Sequence, residues 1–215
     1  MVERCVPKTL DEAYALAAEA KPGLDAFGKT LAERFGCEFV AAPLKGRKRA
    51  EEKLSVKYRG DVSRLSDLAR CRVVCDSLEQ VDVVKKAIRK QTAPLREIDR
   101  LDKPNEYGYR DVKFNFLAGN GFIVEMQIQL KDFASVSQKA HRHYEKIRSV
   151  AEQAKDRPLT ETEQKEIAVR KKICQEIFMG AAQAFNKRTK GRKLKIQPSQ
   201  PAMTAFLVKT GGAER

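Results

Sequence analysis

No apolar run in this chain approaches the roughly 20 residues a bilayer-crossing helix needs. Charges interrupt residues 1–25 from Glu3 onward, so neither a classical signal peptide nor a membrane association is expected. Histidines number only two, and the five cysteines, at 5, 37, 71, 75 and 174, form no C-x-x-C pair. A zinc module or a disulfide scaffold is excluded on that spacing, because the H-x-H of His141 and His143 lacks further ligands. The chain reads as a reduced, cytoplasmic-type protein. The signature G-x-x-x-x-G-K-[ST] is also missing, so any phosphate must be held by side chains.

What is abundant is positive charge. Lys and Arg total 43 against 29 Asp and Glu, a net charge of +14 over 215 residues. A surplus that large suits a polyanionic partner, either nucleic acid or nucleotide phosphates, although solubility alone also accounts for it. With 42% hydrophobic and 33% charged residues the chain can bury a core, which excludes wholesale disorder.

Residues 8–35 carry helical spacing at Leu10, Tyr14, Leu16 and Ala17, with Thr9 and Asp11 as caps; Pro22-Gly23 is expected to break the run in two. Residues 37–44 form a short apolar stretch, and residues 45–58 a charged helix without a proper apolar face. RCRVVC, residues 70–75, is strand-like, and the capping box from Ser77 to Gln80 opens a helix to about Lys90. Residues 95–101 alternate as a strand. DVKFNFLA and FIVEMQIQL flank Gly119-Asn120-Gly121, a hairpin signal. Helices follow from Phe133 to about Val150 and from Thr160 to about Phe185. The expected fold is α+β, a mixed β-sheet of about five strands flanked by helices. Residues 1–186 read as a single domain with its core at 37–150, and residues 187–215 as a basic tail, mobile or docking.

Lys45, Arg49, Lys53 and Lys57 recur at i,i+4, which on a helix is one face; an anion in front would relieve their repulsion, with a solvated face as the bland alternative. Arg70 and Arg72 share one face of their strand, and Glu125, Gln127 and Gln129 share one face of theirs. Polar residues on one sheet face are usually solvent-exposed. Asp67 and Glu125, however, lie in or beside apolar strands where a carboxylate is costly unless paired or metal-bound. Two carboxylates facing a basic helix are the minimum set for Mg²⁺ and a triphosphate. The loop of Pro104, Asn105 and Gly108 presents Tyr107 and Tyr109, which can stack on a base or anchor the loop in the core.

These elements, in this order, resemble the synthetase domain of the RelA/SpoT family, the (p)ppGpp- and (p)ppApp-type alarmone synthetases, from about Pro43 to Arg148. LSDLARCRVV is similar to the segment with the family's Mg²⁺-binding Asp and ATP-contacting Arg, matching Asp67 and Arg72. KPNEYGY resembles the acceptor loop whose final Tyr stacks on the acceptor base, here Tyr109. VEMQIQL resembles the strand with the second essential carboxylate, here Glu125, followed by Gln127. KAHRHYEK is similar to the A-H-x-x-Y-K motif, matching His141 and Tyr144. The basic helix matches the donor-ATP helix through Lys45 and Lys53.

The resemblance implies a nucleotidyltransferase-like fold and a pyrophosphokinase that moves the β,γ-diphosphate of ATP to a purine nucleotide's 3′-hydroxyl. ATP phosphates are expected at Lys45, Arg49, Lys53 and Arg72, Mg²⁺ at Asp67 and Glu125, and the acceptor at Tyr109, Asn105, Gln127, Lys113 and His141. Three positions depart from the pattern: Lys113 replaces a His, Gln129 an Arg, and Arg49 stands where Ser is common. The departures look more like the toxic single-domain and effector branch, which implies an antitoxin or immunity protein and allows tRNA as an alternative acceptor. A non-catalytic RNA-binding domain is the competing reading. No hydrolase His-Asp metal motif is present, so self-degradation of the product by the family's route is not expected.

Overall fold

Five strands form one mixed sheet in the order β1-β2-β5-β4-β3 in the computed structural model, which describes residues 2–196. The elements run α1 (Leu10–Phe35), β1 (Glu38–Ala41), α2 (Arg47–Lys53), β2 (Arg70–Cys75), α3 (Leu78–Thr92), β3 (Arg96–Asp99), β4 (Val112–Leu117), β5 (Ile123–Leu130), α4 (Lys131–Gln153) and α5 (Glu161–Arg188). Only the β2–β5 pairing is parallel; the other three are antiparallel. The mixed α+β architecture expected from the pattern is the one observed. Among the described residues, no helix is long and apolar enough to cross a membrane, and all five cysteines are free thiols.

Strand alternation divides the sheet into two chemical faces. Cys71, Val73 and Cys75 of β2, Val112, Phe114 and Phe116 of β4, and Val124, Met126, Ile128 and Leu130 of β5 build the apolar core. α1 and α3 cover that side, and Gly28 of α1 comes so close that an added Cβ would lie 2.8 Å from the Phe39 ring. The other face carries Arg70, Arg72, Lys113, Asn115, Glu125, Gln127 and Gln129, and α4 packs across its far end with α5 outside it. The β4–β5 hairpin turns through Gly121 at φ +78°, as the Gly-Asn-Gly signal suggests.

Four local expectations are corrected. Pro22 does not break α1, which runs unbroken for 26 residues. Pro22 and Ala18, whose carbonyl it cannot serve, are both on the exposed side of the helix. The buried stripe Ala13, Ala17, Ala20, Leu24 and Leu31 continues past it and outweighs the local penalty.

Nor is the basic segment one α-helix. Lys45 precedes α2, and Leu54–Tyr58 form a π turn, so the four-residue column of cations does not exist. The segment does have an apolar stripe, Ala50, Leu54 and Tyr58; steps of four residues drift around an α-helix, and the wider π turn draws Tyr58 back onto the buried side. At α3, Ser77 caps Gln80 N–H, but the Gln80 side chain accepts from Asp76 N–H rather than closing the box on Ser77.

Lys187, the expected start of the tail, lies inside α5. Beyond it Leu194 is buried and exchanges two hydrogen bonds with Asn186, and the Lys195 carbonyl accepts from Arg110. Residues 197–215 of the expected tail lie outside the described residues. Proline in a helix interior costs up to about 3 kcal/mol relative to alanine. Pro22→Ala is therefore expected to raise the unfolding free energy by about 1–3 kcal/mol in a denaturant titration without altering any site residue.

Candidate active site

The sheet register assembles the polar face into two rows. Arg70 of β2 lies opposite Glu125 of β5, which lies opposite Asn115 of β4; one step along, Arg72, Gln127 and Lys113 align the same way. The face is not solvent-exposed as its polarity suggested. Glu125 and Gln127 are each 7% exposed and Gln129 is fully buried. α1 and α3 pack on one face of β5 and α4 on the other, and the polar side chains are kept there by bonding to one another and to α4. Gln127 Nε2 donates to Glu125 Oε1 at 2.6 Å, and Gln129 Nε2 to Ser137 Oγ of α4 at 3.1 Å.

Asp67 stands in the loop that leads into β2. That loop is strapped on three sides: Asn115 Nδ2 donates to the Ser66 carbonyl, Glu125 N–H to that of Ala69, and Lys45 N–H to that of Leu68. Lys45, held further by the Tyr14 hydroxyl donating to its carbonyl, places its ammonium 3.0 Å from Asp67 Oδ2. Lys53 comes from α2 to 2.9 Å of the same oxygen. The two lysines thus converge by tertiary contact rather than as neighbours on one helix face. The other oxygen, Asp67 Oδ1, is buried with no hydrogen-bond partner, as is Arg72 Nε nearby in the sequence.

Burial alone would raise the Asp67 carboxyl, but the charges of Lys53 and Lys45 outweigh it and hold the pKa below its usual 3.8. Burial lowers both ammonium groups in turn. For Lys53 the attraction of Asp67 wins and the pKa rises, whereas for Lys45 burial wins and it falls. The two lysines are therefore unequal, and Lys45 carries the weaker grip on its proton.

Arg49 pairs with Glu52 at 2.9 Å and with Glu145 of α4, and Arg148 reaches Glu52 at 2.8 Å. This network frames a cleft of about 540 Å³ between α2 and α4, lined by Lys48, Arg49, Glu52, Glu145, Arg148 and Ser149. Neither Asp67 nor Glu125 lines it; the cleft flanks the carboxylates rather than covering them. His141 belongs to this flank too. Burial and the neighbouring charges of Arg49, Arg70 and Arg148 lower its pKa, and Glu145 lies 3.4 Å away. His141 thus stands between the Arg49–Glu145 network and Tyr144, whose ring centroid is 6.3 Å away.

The 101–111 loop is anchored by both tyrosines. Tyr107 packs edge-on against Tyr144 at 5.1 Å and Tyr109 against Phe178 of α5 at 5.5 Å. Gly108 sits at φ +82° with an ideal Cβ only 3.1 Å from Gln175 Cα, so both conformation and closeness require glycine. Asn105 is occupied locally: its Oδ1 accepts from Tyr107 N–H and Tyr109 N–H, closing the turn that presents Tyr109. Lys113 lies 3.7 Å from Glu125 and 3.6 Å from Asp111.

Sequence reasoning missed Asp111, Arg100, Arg148 and Glu145. Asp111 had a signal: an acid two residues before Lys113 shares its face of an alternating strand. The arginines and Glu145 had none, because their partners come from distant elements.

Residues 44–149 match the family described as the region found in RelA / SpoT proteins. That segment is similar to the RelA/SpoT region. The (p)ppApp synthetase toxin Tas1 of Pseudomonas aeruginosa (strain UCBPP-PA14) is 32% identical over 109 residues, 51% of this chain and 25% of Tas1. The match thus spans a quarter of that relative's own length. The crystal structure of the type VI effector Tas1 with its immunity protein superposes with a TM-score of 0.57 at 21% identity, covering 82% of this chain and 99% of that one. Small alarmone synthetase 1 from Bacillus subtilis, bound to its product pppGpp, gives 0.58 at 19% identity, over 81% and 90%. These superpositions establish the fold around the RelA/SpoT region, including the helices outside residues 44–149.

The sign of the Asp67 shift yields a pH test. A carboxyl lowered on folding contributes stability above its unfolded value near 3.8 and loses it as pH falls through the lower folded value. At pH 7, Asp67→Asn is expected to cost about 1.5–3 kcal/mol, since charge-assisted hydrogen bonds to two lysines are lost. Chemical denaturation from pH 7 down past 3.8 should show the gap between wild type and variant shrinking.

Proposed function

We propose that this chain is an ATP-dependent pyrophosphokinase that transfers the β,γ-diphosphate of ATP to the 3′-hydroxyl of a purine nucleotide, releasing AMP. The observation that carries the reading is Asp67, gripped by Lys45 and Lys53 through one oxygen while the other is buried and unpartnered. A triphosphate arriving at the two ammonium groups takes over as their counterion. That exchange releases Asp67 for a divalent cation.

Asp67 and Glu125 are a fitting donor set for Mg²⁺, which usually takes one or two carboxylates and completes its shell with phosphate oxygens and water. Bound there, Mg²⁺ would neutralise charge on the transferring phosphates. Lys45 and Lys53 bind the phosphates, and Arg72, whose Nε lacks a partner, supplies a further donor. Arg49, which lines the flanking cleft, is a further donor for the ATP phosphates. Tyr109 offers the acceptor base a stacking surface, held by Gly108, Asn105 and Phe178.

In the reaction the acceptor's 3′-oxygen bonds to the β-phosphorus, the bond from that phosphorus to the α-phosphate oxygen breaks, and AMP departs with that oxygen. In this reading Glu125 takes the hydroxyl proton. The finer properties belong to the same proposal: a growth-inhibiting toxin or effector acting in a cytoplasm, with a dedicated immunity protein, as Tas1 has.

The test is product analysis with labelled ATP, Mg²⁺ and a panel of guanine nucleotides, adenine nucleotides and tRNA, scoring AMP and the diphosphorylated product. A 3′-diphosphorylated purine nucleotide is expected; product on tRNA alone would move the acceptor to RNA, and no AMP with any acceptor would sink the reading. Asp67→Asn should lower kcat by at least about 100-fold while the protein stays folded. Lys45→Ala/Lys53→Ala should weaken ATP binding by about 1.5–3 kcal/mol per phosphate contact in calorimetry. Tyr109→Ala should abolish transfer to every acceptor; retained turnover would show that the tyrosine only anchors its loop.

A further inference from the structure

Asp111 is fully buried and has no assigned task, yet it sits where the two halves of the site meet. Its Oδ1 accepts from Arg100 Nη1 at 3.0 Å. Its Oδ2 is buried without a hydrogen-bond partner, and the nearest ammonium, Lys113 Nζ, stays 3.6 Å away. The same ammonium is 3.7 Å from Glu125 Oε1, an oxygen already taken by Gln127 Nε2 at 2.6 Å. Lys113 is therefore suspended between two carboxylates, closing on neither.

An ammonium that collapsed onto Glu125 would occupy the oxygens a divalent cation needs and repel that cation at close range. A second carboxylate on the far side prevents this, because it offers Lys113 an equal attraction in the opposite direction. Asp111 and Lys113 are two residues apart, so strand alternation keeps both on the face that carries Glu125. We propose that Asp111 is a positioning residue that holds Lys113 back from Glu125, keeping that carboxylate open to a divalent cation. The proposal rests on the metal-dependent reading of the site given above. It predicts that the two substitutions oppose each other, which a merely structural role for either residue does not.

The measurement is Mn²⁺ binding to the purified full chain, followed by electron paramagnetic resonance of the free ion, with thermal melts as the check on folding. Asp111→Asn should weaken Mn²⁺ binding roughly 10-fold, the scale on which groups behind a metal ligand act. Lys113→Gln should tighten it relative to wild type, and the double variant Asp111→Asn/Lys113→Gln should recover most of what Asp111→Asn lost. Binding of a non-hydrolysable ATP analogue without metal should be the same in all four proteins, since Lys45 and Lys53 are untouched. Wild-type Mn²⁺ affinity in folded Asp111→Asn, or no recovery in the double variant, overturns the proposal. Should Asp111→Asn not fold, Lys113→Gln alone decides: unchanged or weaker Mn²⁺ binding overturns it. An absence of AMP formation by the wild type would instead defeat the pyrophosphokinase reading and leave these cation affinities interpretable.

Discussion

Everything in this site follows from one constraint, which is that the central strand of the sheet has a polar face it must bury. β5 is flanked by β2 and β4 and crossed by α4, and Glu125, Gln127 and Gln129 are buried there. Each such group is costly unless it finds a partner. The neighbouring strands set Arg70 and Arg72 from β2, and Lys113 and Asn115 from β4, in register beside them, while Gln127 bonds to Glu125 and Lys113 comes within 3.7 Å of it. Helix α4 adds Ser137, and Asn115 also ties down the loop that carries Asp67. Polar satisfaction of the sheet and construction of the site are thus the same event.

The electrostatics show a chain that neutralises itself in stages. Despite its surplus of cations, the site residues are mostly paired: Lys45 and Lys53 with Asp67, Arg49 and Arg148 with Glu52 and Glu145, Arg100 and Lys113 with Asp111. Among the described residues, the buried groups of this face and its borders left without a partner are one oxygen of Asp67, one of Asp111, the Nε of Arg72 and Gln129 Oε1. Such orphans are expensive in a folded protein and concentrate where a ligand completes the bonding. A phosphate-bearing ligand with its cation would complete the bonding of Asp67 and Arg72.

Much of this was legible beforehand, and for identifiable reasons. Strand alternation set Arg70 with Arg72 and Glu125 with Gln127 on common faces, because a period of two leaves no freedom once the strand exists. The motif order from Lys45 to Tyr144 pointed to the RelA/SpoT resemblance that residues 44–149 bear out. The misreadings were those that depended on distance. Pro22 was judged on its local penalty, while the packing of α1 on the sheet decided the outcome. The basic segment was judged as a uniform helix, while a π turn and the backbone bond from Lys45 to Leu68 reset its cations.

By itself the sequence determined the alternation of the strands, the turn at Gly121, the cap at Thr9, and the kinds of side chain available for phosphate and metal. These are local matters, settled by backbone sterics and by hydrogen bonds spanning a few residues. Tertiary structure alone decided that Lys45 and Lys53 meet on one oxygen of Asp67, that His141 stands beside Arg49 rather than Tyr109, and that Asp111 and Glu125 share Lys113. The reason is that a charge's effect depends on its distance to partners in other elements and on the water excluded between them. Both arise only when the sheet closes and the helices pack.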